Sequence, residues 1–211
     1  MFDIIFLLDE STSMKTHIYS YIKLINTLFT TQKQINPYAN LTIIKFASTS
    51  SVLCVDSKLH TIPEFTTPEH YNPRGITALY DAIGYAIDMK YNCNYTKLTM
   101  VFILTDGEDN NSKKHNVNTI SEKIKFLKHS RWVFVFIAAN QNAEKVGKQL
   151  AIDTCITYNE TSKSILDIAN VCNTTIGHAL YEWTGISNEY CKKEIKTDIR
   201  DLTDIFTGFN I

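Results

Sequence analysis

The amino-acid sequence predicts an α/β fold: a doubly wound, mainly parallel twisted sheet with one antiparallel edge strand and helices on both faces. Three observations carry this expectation. Near-continuous apolar runs at 2–8, 98–104 and 132–139 have the length and composition of strands buried on both sides. Segments between them repeat apolar residues at helical spacing. The connections are short, so strand and helix alternate as parallel βαβ units require, with right-handed crossovers.

Taken in order, Phe2 to Leu8 is the first strand and stops at Asp9. Ile18, Ile22, Ile25 and Phe29 mark a long amphipathic helix that Asn36-Pro37 terminates. Leu41–Ala47 and Ser51–Asp56 are β-rich runs with only three residues between them, too few for a crossover, so they pair as an antiparallel hairpin and supply the edge strand. Residues 57–76 contain Pro63, Pro68, Pro73 and Gly75 without periodicity and read as a long, functional loop. Leu79, Ile83, Ala86 and Ile87 define a second helix, and the strand 98–104 ends at Thr105-Asp106-Gly107. Then follow a helix through Ile120, Ile124 and Leu127, the strand 132–139, a helix through Ala143, Val146 and Leu150, a short strand 155–158, and a last helix through Ile165, Ile168, Cys172 and Ile176. These elements make one domain, 1–180. Residues 181–211, with Trp183, Tyr190, Phe206 and Phe209 among charges, form an extension expected to pack on the body or on a partner.

Composition narrows the function. With 21 Lys+Arg against 22 Asp+Glu the net charge is −1, which removes the electrostatic case for nucleic acid or an anionic membrane surface. A hydrophobic fraction of 44% among 211 residues fills a sizeable core and excludes a disordered chain. No uncharged stretch reaches the roughly 18 apolar residues that a spanning helix needs. Asp3 interrupts the first apolar run, so no secretory leader is read there, and a cytoplasmic protein is expected. The five cysteines are widely spaced and lack any Cys-x-x-Cys pair, so they read as reduced small hydrophobes, not as a disulfide frame or thiolate zinc site.

Ligands of open α/β sheets sit where loops leave the carboxyl ends of strands. Three such loops are polar together: Asp9-Glu10-Ser11-Thr12-Ser13, Arg74-Gly75-Ile76-Thr77, and Thr105-Asp106-Gly107. Asp9, Ser11, Ser13, Thr77 and Asp106 offer two carboxylates and three hydroxyls, an all-oxygen set suited to a hard divalent ion. Mg²⁺ accepts about six oxygens and retains water readily, so such a set leaves a position for an external ligand. Two carboxylates against a dication sum to zero inner charge, which preserves attraction for a further anion.

These residues resemble the metal-ion-dependent adhesion site of von Willebrand factor type A domains, and the resemblance covers roughly residues 1–180. Asp9, Ser11 and Ser13 match the family's D-x-S-x-S loop, Thr77 in Gly75-Ile76-Thr77-Ala78-Leu79 its threonine loop, and Asp106 its aspartate loop. Thr12 stands where many members have glycine. The resemblance implies Mg²⁺ or Mn²⁺ at those five residues and a partner protein supplying an Asp or Glu to complete the shell, in an intracellular member.

Each piece also has a plainer explanation. Asp and Ser ahead of a helix are ordinary N-cap residues, and Glu108, Asp109, Asn110 and Asn111 suit a solvated turn. Glu10 reads either as an added rim acid or as a solvated one. Arg74 reads as solvated, and the six histidines show no ligand pairing and none beside the acids. The conjunction of three loops favours a cation-dependent protein-interaction module without catalysis. The alternatives are a metal-dependent hydrolase of phosphate esters, against which stands the lack of G-x-S-x-G and Walker patterns, and a scaffold subunit docking through its C-terminal tail.

Overall fold

In a computed structural model of the chain, residues 2–36, 38–66, 70–94, 97–106, 108–139, 143–158 and 162–184 are described. The first apolar run becomes β1 (Asp3–Asp9), with all seven residues buried. It is followed by α1 (Ile18–Ile35), β2 (Asn40–Phe46), β3 (Ser50–Lys58), α2 (Leu79–Asn94), β4 (Thr99–Thr105), α3 (Val117–Lys128), β5 (Trp132–Ala139), α4 (Ala143–Gln149), β6 (Thr154–Tyr158) and α5 (Ser162–Thr184). The six strands form one sheet in the order β3-β2-β1-β4-β5-β6. Only the β2–β3 pair is antiparallel; β1 pairs in parallel with β2 and β4, as do β4 with β5 and β5 with β6. The expected edge hairpin and mainly parallel sheet are thus both present.

Period-two alternation along β1 divides the core into two layers. Ile4, Phe6 and Leu8 face α1 and α5 through Tyr21, Leu24, Leu28, Ile168 and Cys172. Ile5 and Leu7 face the opposite layer, where α2, α3 and α4 contribute Leu79, Ile83, Ile120, Ile124 and Val146. Each fully buried large apolar side chain contributes about 1.5–3 kcal/mol, and an all-buried central strand needs covering on both faces. α3 starts in a reciprocal capping box between Asn116 and Thr119, which satisfies free amides of its first turn.

Two details were not expected. A 3-10 turn, Thr12–His17, precedes α1, and β3 runs on to Lys58, with Asp56 in a left-handed conformation (φ 48°). Cys54, Cys155 and Cys172 are free thiols. α5 continues past residue 180 to Thr184, and the remainder of the expected 181–211 extension lies outside the described residues. Among the described residues no helix is long and apolar enough to cross a membrane.

Candidate metal centre

From β1 the chain passes through α1 to β2 on one side, whereas the later strands β4, β5 and β6 add on the other. The carboxyl ends of β1 and β4 therefore border a topological switch point, where the loops diverge and leave a crevice. Register brings Leu8 opposite Leu104, so the next residues, Asp9 and Thr105, are neighbours across the crevice. The Thr105 hydroxyl donates to Asp9 Oδ2 at 2.6 Å, and the Ser11 amide donates to Asp9 Oδ1 at 2.8 Å. Asp9 is fully buried, with both carboxylate oxygens oriented.

The 3-10 turn folds the serines back over the strand ends. Ser11 Oγ and Ser13 Oγ lie 3.0 Å apart, and Ser13 Oγ donates to Asp106 Oδ1 at 2.8 Å. A continuous polar chain thus joins Asp9, Ser11, Ser13 and Asp106, although Asp106 is 93 residues beyond Ser13.

Thr77 reaches the same region by backbone contacts on both flanks. Thr12 N donates to the Gly75 carbonyl at 3.0 Å, tying the second loop to the first. Gly75 has φ +80°, so the turn favours glycine for conformation, and a Cβ there would also displace the Ser48 hydroxyl, 2.7 Å away. The Thr77 amide donates to Asn110 Oδ1 at 2.8 Å, and its carbonyl accepts from Asn110 N and Asn111 N at 2.9 and 3.0 Å. Thr77 is itself buried. Farther along, Asp109 accepts from Tyr80 N, and Asp81 accepts the amides of Lys113, Lys114 and His115 at 2.8–2.9 Å. The Thr77 and Asp106 loops are thereby fastened together.

Burial raises the carboxyl pKa of Asp9 above the ordinary aspartate value, against the opposing hydrogen bonds from Thr105 and Ser11, and the nearby Asp106 charge adds to the rise. Burial also raises Asp106, opposed by the Ser13 hydrogen bond and by His17. Among the described residues neither carboxylate pairs with Lys or Arg; His17 Nε2, 3.8 Å from Asp106 Oδ2, is the basic group in ion-pair range. Two desolvated carboxylates without a strong cationic partner are costly unless a positive charge joins them. No grouping of three or more His, Cys, Asp or Glu that could hold a metal ion exists among the described residues, so a cation here would depend on the hydroxyls. That donor set fits a hard, oxygen-seeking dication.

Besides Asp109 and Asn110, whose hydrogen bonds to Tyr80 and Thr77 replace the expected solvated turn, three residues take roles that the sequence left open or missed. Glu10 is neither rim acid nor solvated: it is buried, pairs with Lys45 Nζ at 2.9 Å and accepts from Asn72 N at 2.7 Å, while its carbonyl accepts from Arg74 N at 2.7 Å. It fastens residues 72–74 to the end of β1. Tyr71, fully buried, donates its hydroxyl to the Asp9 carbonyl, and burial followed by the charges of Asp9, Asp106 and Glu10 drives its phenol far above the usual range. His17 corrects the expectation that no histidine stands beside the acids. It is the last residue of the 3-10 turn, whose tight pitch returns it toward Asp106.

No protein-family model and no curated protein sequence matches the chain. Solved structures do. A von Willebrand factor type A protein from Catenulispora acidiphila superposes with a TM-score of 0.60 at 11% identity, over 83% of this chain and 43% of its own. Proximal thread matrix protein 1 from the mussel byssus, with a zinc-occupied MIDAS motif, gives 0.58 at 15% identity, over 81% and 45%. The SpRpn10 VWA domain gives 0.59 at 11% identity, over 81% of this chain and 95% of that domain. The chain therefore has the von Willebrand factor type A fold. It spans less than half the length of the first two proteins and nearly all of the third.

Proposed function

We propose that the chain is an interaction module that holds Mg²⁺, or Mn²⁺, at Asp9, Ser11, Ser13, Thr77 and Asp106 and presents an open coordination position to an Asp or Glu of a partner protein. The observation that carries this reading is the hydrogen-bonded chain Asp9–Ser11–Ser13–Asp106, whose two carboxylates have buried side chains and, among the described residues, are neutralised by neither Lys nor Arg. The bound cation would supply Lewis acidity toward an anionic side chain. The protein's residues set its approach: Thr105 and Ser13 orient the carboxylates, Tyr71 and Glu10 hold the loop backbones, and Asn110 fixes the Thr77 peptide. A cytoplasmic setting accompanies the reading. The zinc-occupied MIDAS motif of the mussel protein supports divalent-metal binding on this fold.

Partner binding measured with Mg²⁺, with chelator and in Asp9→Ala tests it. Binding is expected to fall at least tenfold in the last two conditions; equal affinity in all three rejects the reading. His17 beside Asp106 gives some support to a second reading, metal-assisted hydrolysis of phosphate esters, in which an imidazole could move a proton. Turnover of phosphate esters with Mg²⁺ or Mn²⁺ that disappears in Asp106→Ala would favour it over the interaction module.

A further inference from the structure

The approach to the candidate metal centre carries charge mainly of one sign. Among the described residues of the three loops, four exposed cations, Lys15, Arg74, Lys113 and Lys114, stand against one exposed acid, Glu108. The chain as a whole has a net charge of −1, so this surplus is local. It is also uncommitted: among the described residues, none of the four cationic side chains makes a hydrogen bond or an ion pair. Glu10, the other acid of the first loop, does not neutralise them, because it is buried and paired with Lys45.

Two of the four are fixed beside the metal-binding positions. Lys15 follows Ser13 by two residues in the same 3-10 turn, about 4 Å farther along its axis. Arg74 precedes Thr77 by three residues, and its backbone is tied to the first loop twice. Its amide donates to the Glu10 carbonyl at 2.7 Å, and the neighbouring Gly75 carbonyl accepts from Thr12 N at 3.0 Å. Arg74 and Lys15 therefore border the site from adjoining loops. With a dication bound, the two carboxylates cancel its charge, so the field that a ligand meets beyond the inner shell is set by this rim. An isolated Asp or Glu would use the metal alone. In an extended segment residues rise about 3.3 Å each and point the same way at every second position, so acids on either side of a metal-bound one stand roughly 7 Å from it. Long basic side chains rooted in the bordering loops suit that span. We propose that the partner engages the site with an acidic segment, one Asp or Glu on the metal and flanking carboxylates on Arg74 and Lys15. The inference rests on the cation-dependent reading above and specifies its partner. Exposed ion pairs contribute modestly, so the rim selects among carboxylate ligands and speeds their encounter without replacing the metal.

Two synthetic peptides with blocked ends serve as probes: Glu-Gly-Asp-Gly-Glu, and Gln-Gly-Asp-Gly-Gln, which keeps the shape and loses the flanking charges. Each is titrated into the full chain at low salt with millimolar Mg²⁺, and again with chelator. With Mg²⁺ the triacid should bind at least tenfold more tightly, beyond the roughly threefold advantage that three equivalent carboxylates have over one. In K15Q/R74Q that ratio should fall to about threefold, and the same collapse is expected in wild type when exposed charges are screened by added NaCl. The variant should keep its Mg²⁺-dependent rise in melting temperature, since neither side chain belongs to the metal set, and K113Q/K114Q should keep most of the ratio. A wild-type ratio of threefold or less, or a larger one that K15Q/R74Q leaves intact, overturns the proposal while Mg²⁺-dependent binding of both peptides still upholds the metal reading. Binding of both peptides that is the same in chelator as in Mg²⁺ overturns the metal reading itself, and the proposal with it.

Discussion

Asp9 concentrates the tension between stability and function. Its folded pKa is raised, chiefly by burial, so between the unfolded value of about 3.9 and the higher folded value the native state holds a proton that the unfolded chain has released. Its contribution is greatest below that window and is lost as pH rises through it. Asp9→Asn removes the uncompensated charge while keeping an acceptor for the Ser11 amide. The metal-free variant is therefore expected to melt a few degrees above wild type at pH 7, where about 1 kcal/mol corresponds to roughly 2–4 °C at this size, and to show no further rise with Mg²⁺. Calorimetry with and without the ion checks both halves. Tyr71→Phe leaves the buried Asp9 carbonyl without its phenolic donor and should cost about 1–3 kcal/mol in denaturant titration. Asp9, Ser11 and Ser13 were legible because their spacing is local. Glu10, Tyr71 and His17 were not, because what each does depends on a partner distant in sequence: Lys45 for Glu10, the Asp9 carbonyl for Tyr71 and Asp106 for His17.

Elements were legible wherever periodicity was long and unbroken. β1 and β4 announce themselves as apolar runs, and the three residues between the hairpin strands force an antiparallel edge. The 3-10 turn Thr12–His17 has no such signal, because a few polar residues carry no period, yet it folds Ser13 onto Asp106. The clasp between α2 and the loop before α3 was equally silent. Burial alone would raise the Asp81 carboxyl, but the amides of Lys113, His115 and Lys114 outweigh it and hold the pKa below the ordinary value. Its stabilising contribution is present above the unfolded value and lost as pH falls through the lower folded one. Asp81→Ala should cost about 1–3 kcal/mol, weaken cation binding by loosening the Thr77 and Asp106 loops, and flatten the acid limb of stability below about pH 4. Denaturant melts across pH and Mg²⁺ titration measure these effects. Gly147 in α4 makes a similar point about packing. Helix propensity favours alanine by about 1 kcal/mol, but a Cβ there would lie 2.0 Å from Cys155 Sγ on β6. Gly147→Ala should therefore destabilise by about 1–3 kcal/mol, a sign reversal visible in a thermal melt.

At the scale of the whole molecule, the fold separates what holds it together from what it can bind. Two apolar layers sandwich the sheet, and one group of buried polar side chains, Asp9, Ser11, Thr77 and Thr105, lies at the switch point between β1 and β4. A cation joining Asp9 and Asp106 would offset the cost of their burial, so binding and folding are thermodynamically linked. A ligand present at about 100 times its dissociation constant stabilises the native state by about 2.7 kcal/mol, or roughly 5–10 °C for a chain of this length. Millimolar Mg²⁺ and Mn²⁺ are accordingly expected to raise the melting temperature of wild type by several degrees, with chelator reversing the shift. Asp106→Ala, and Ser13→Ala to a lesser extent, should abolish or shrink it without unfolding the protein, because both lie outside the apolar layers. Raising NaCl at fixed Mg²⁺ separates site binding from general screening, since a buried pair of carboxylates is screened far less than exposed charges. A shift that vanishes at moderate salt, or one that Asp106→Ala retains in full, would mean that the ion acts elsewhere on the surface.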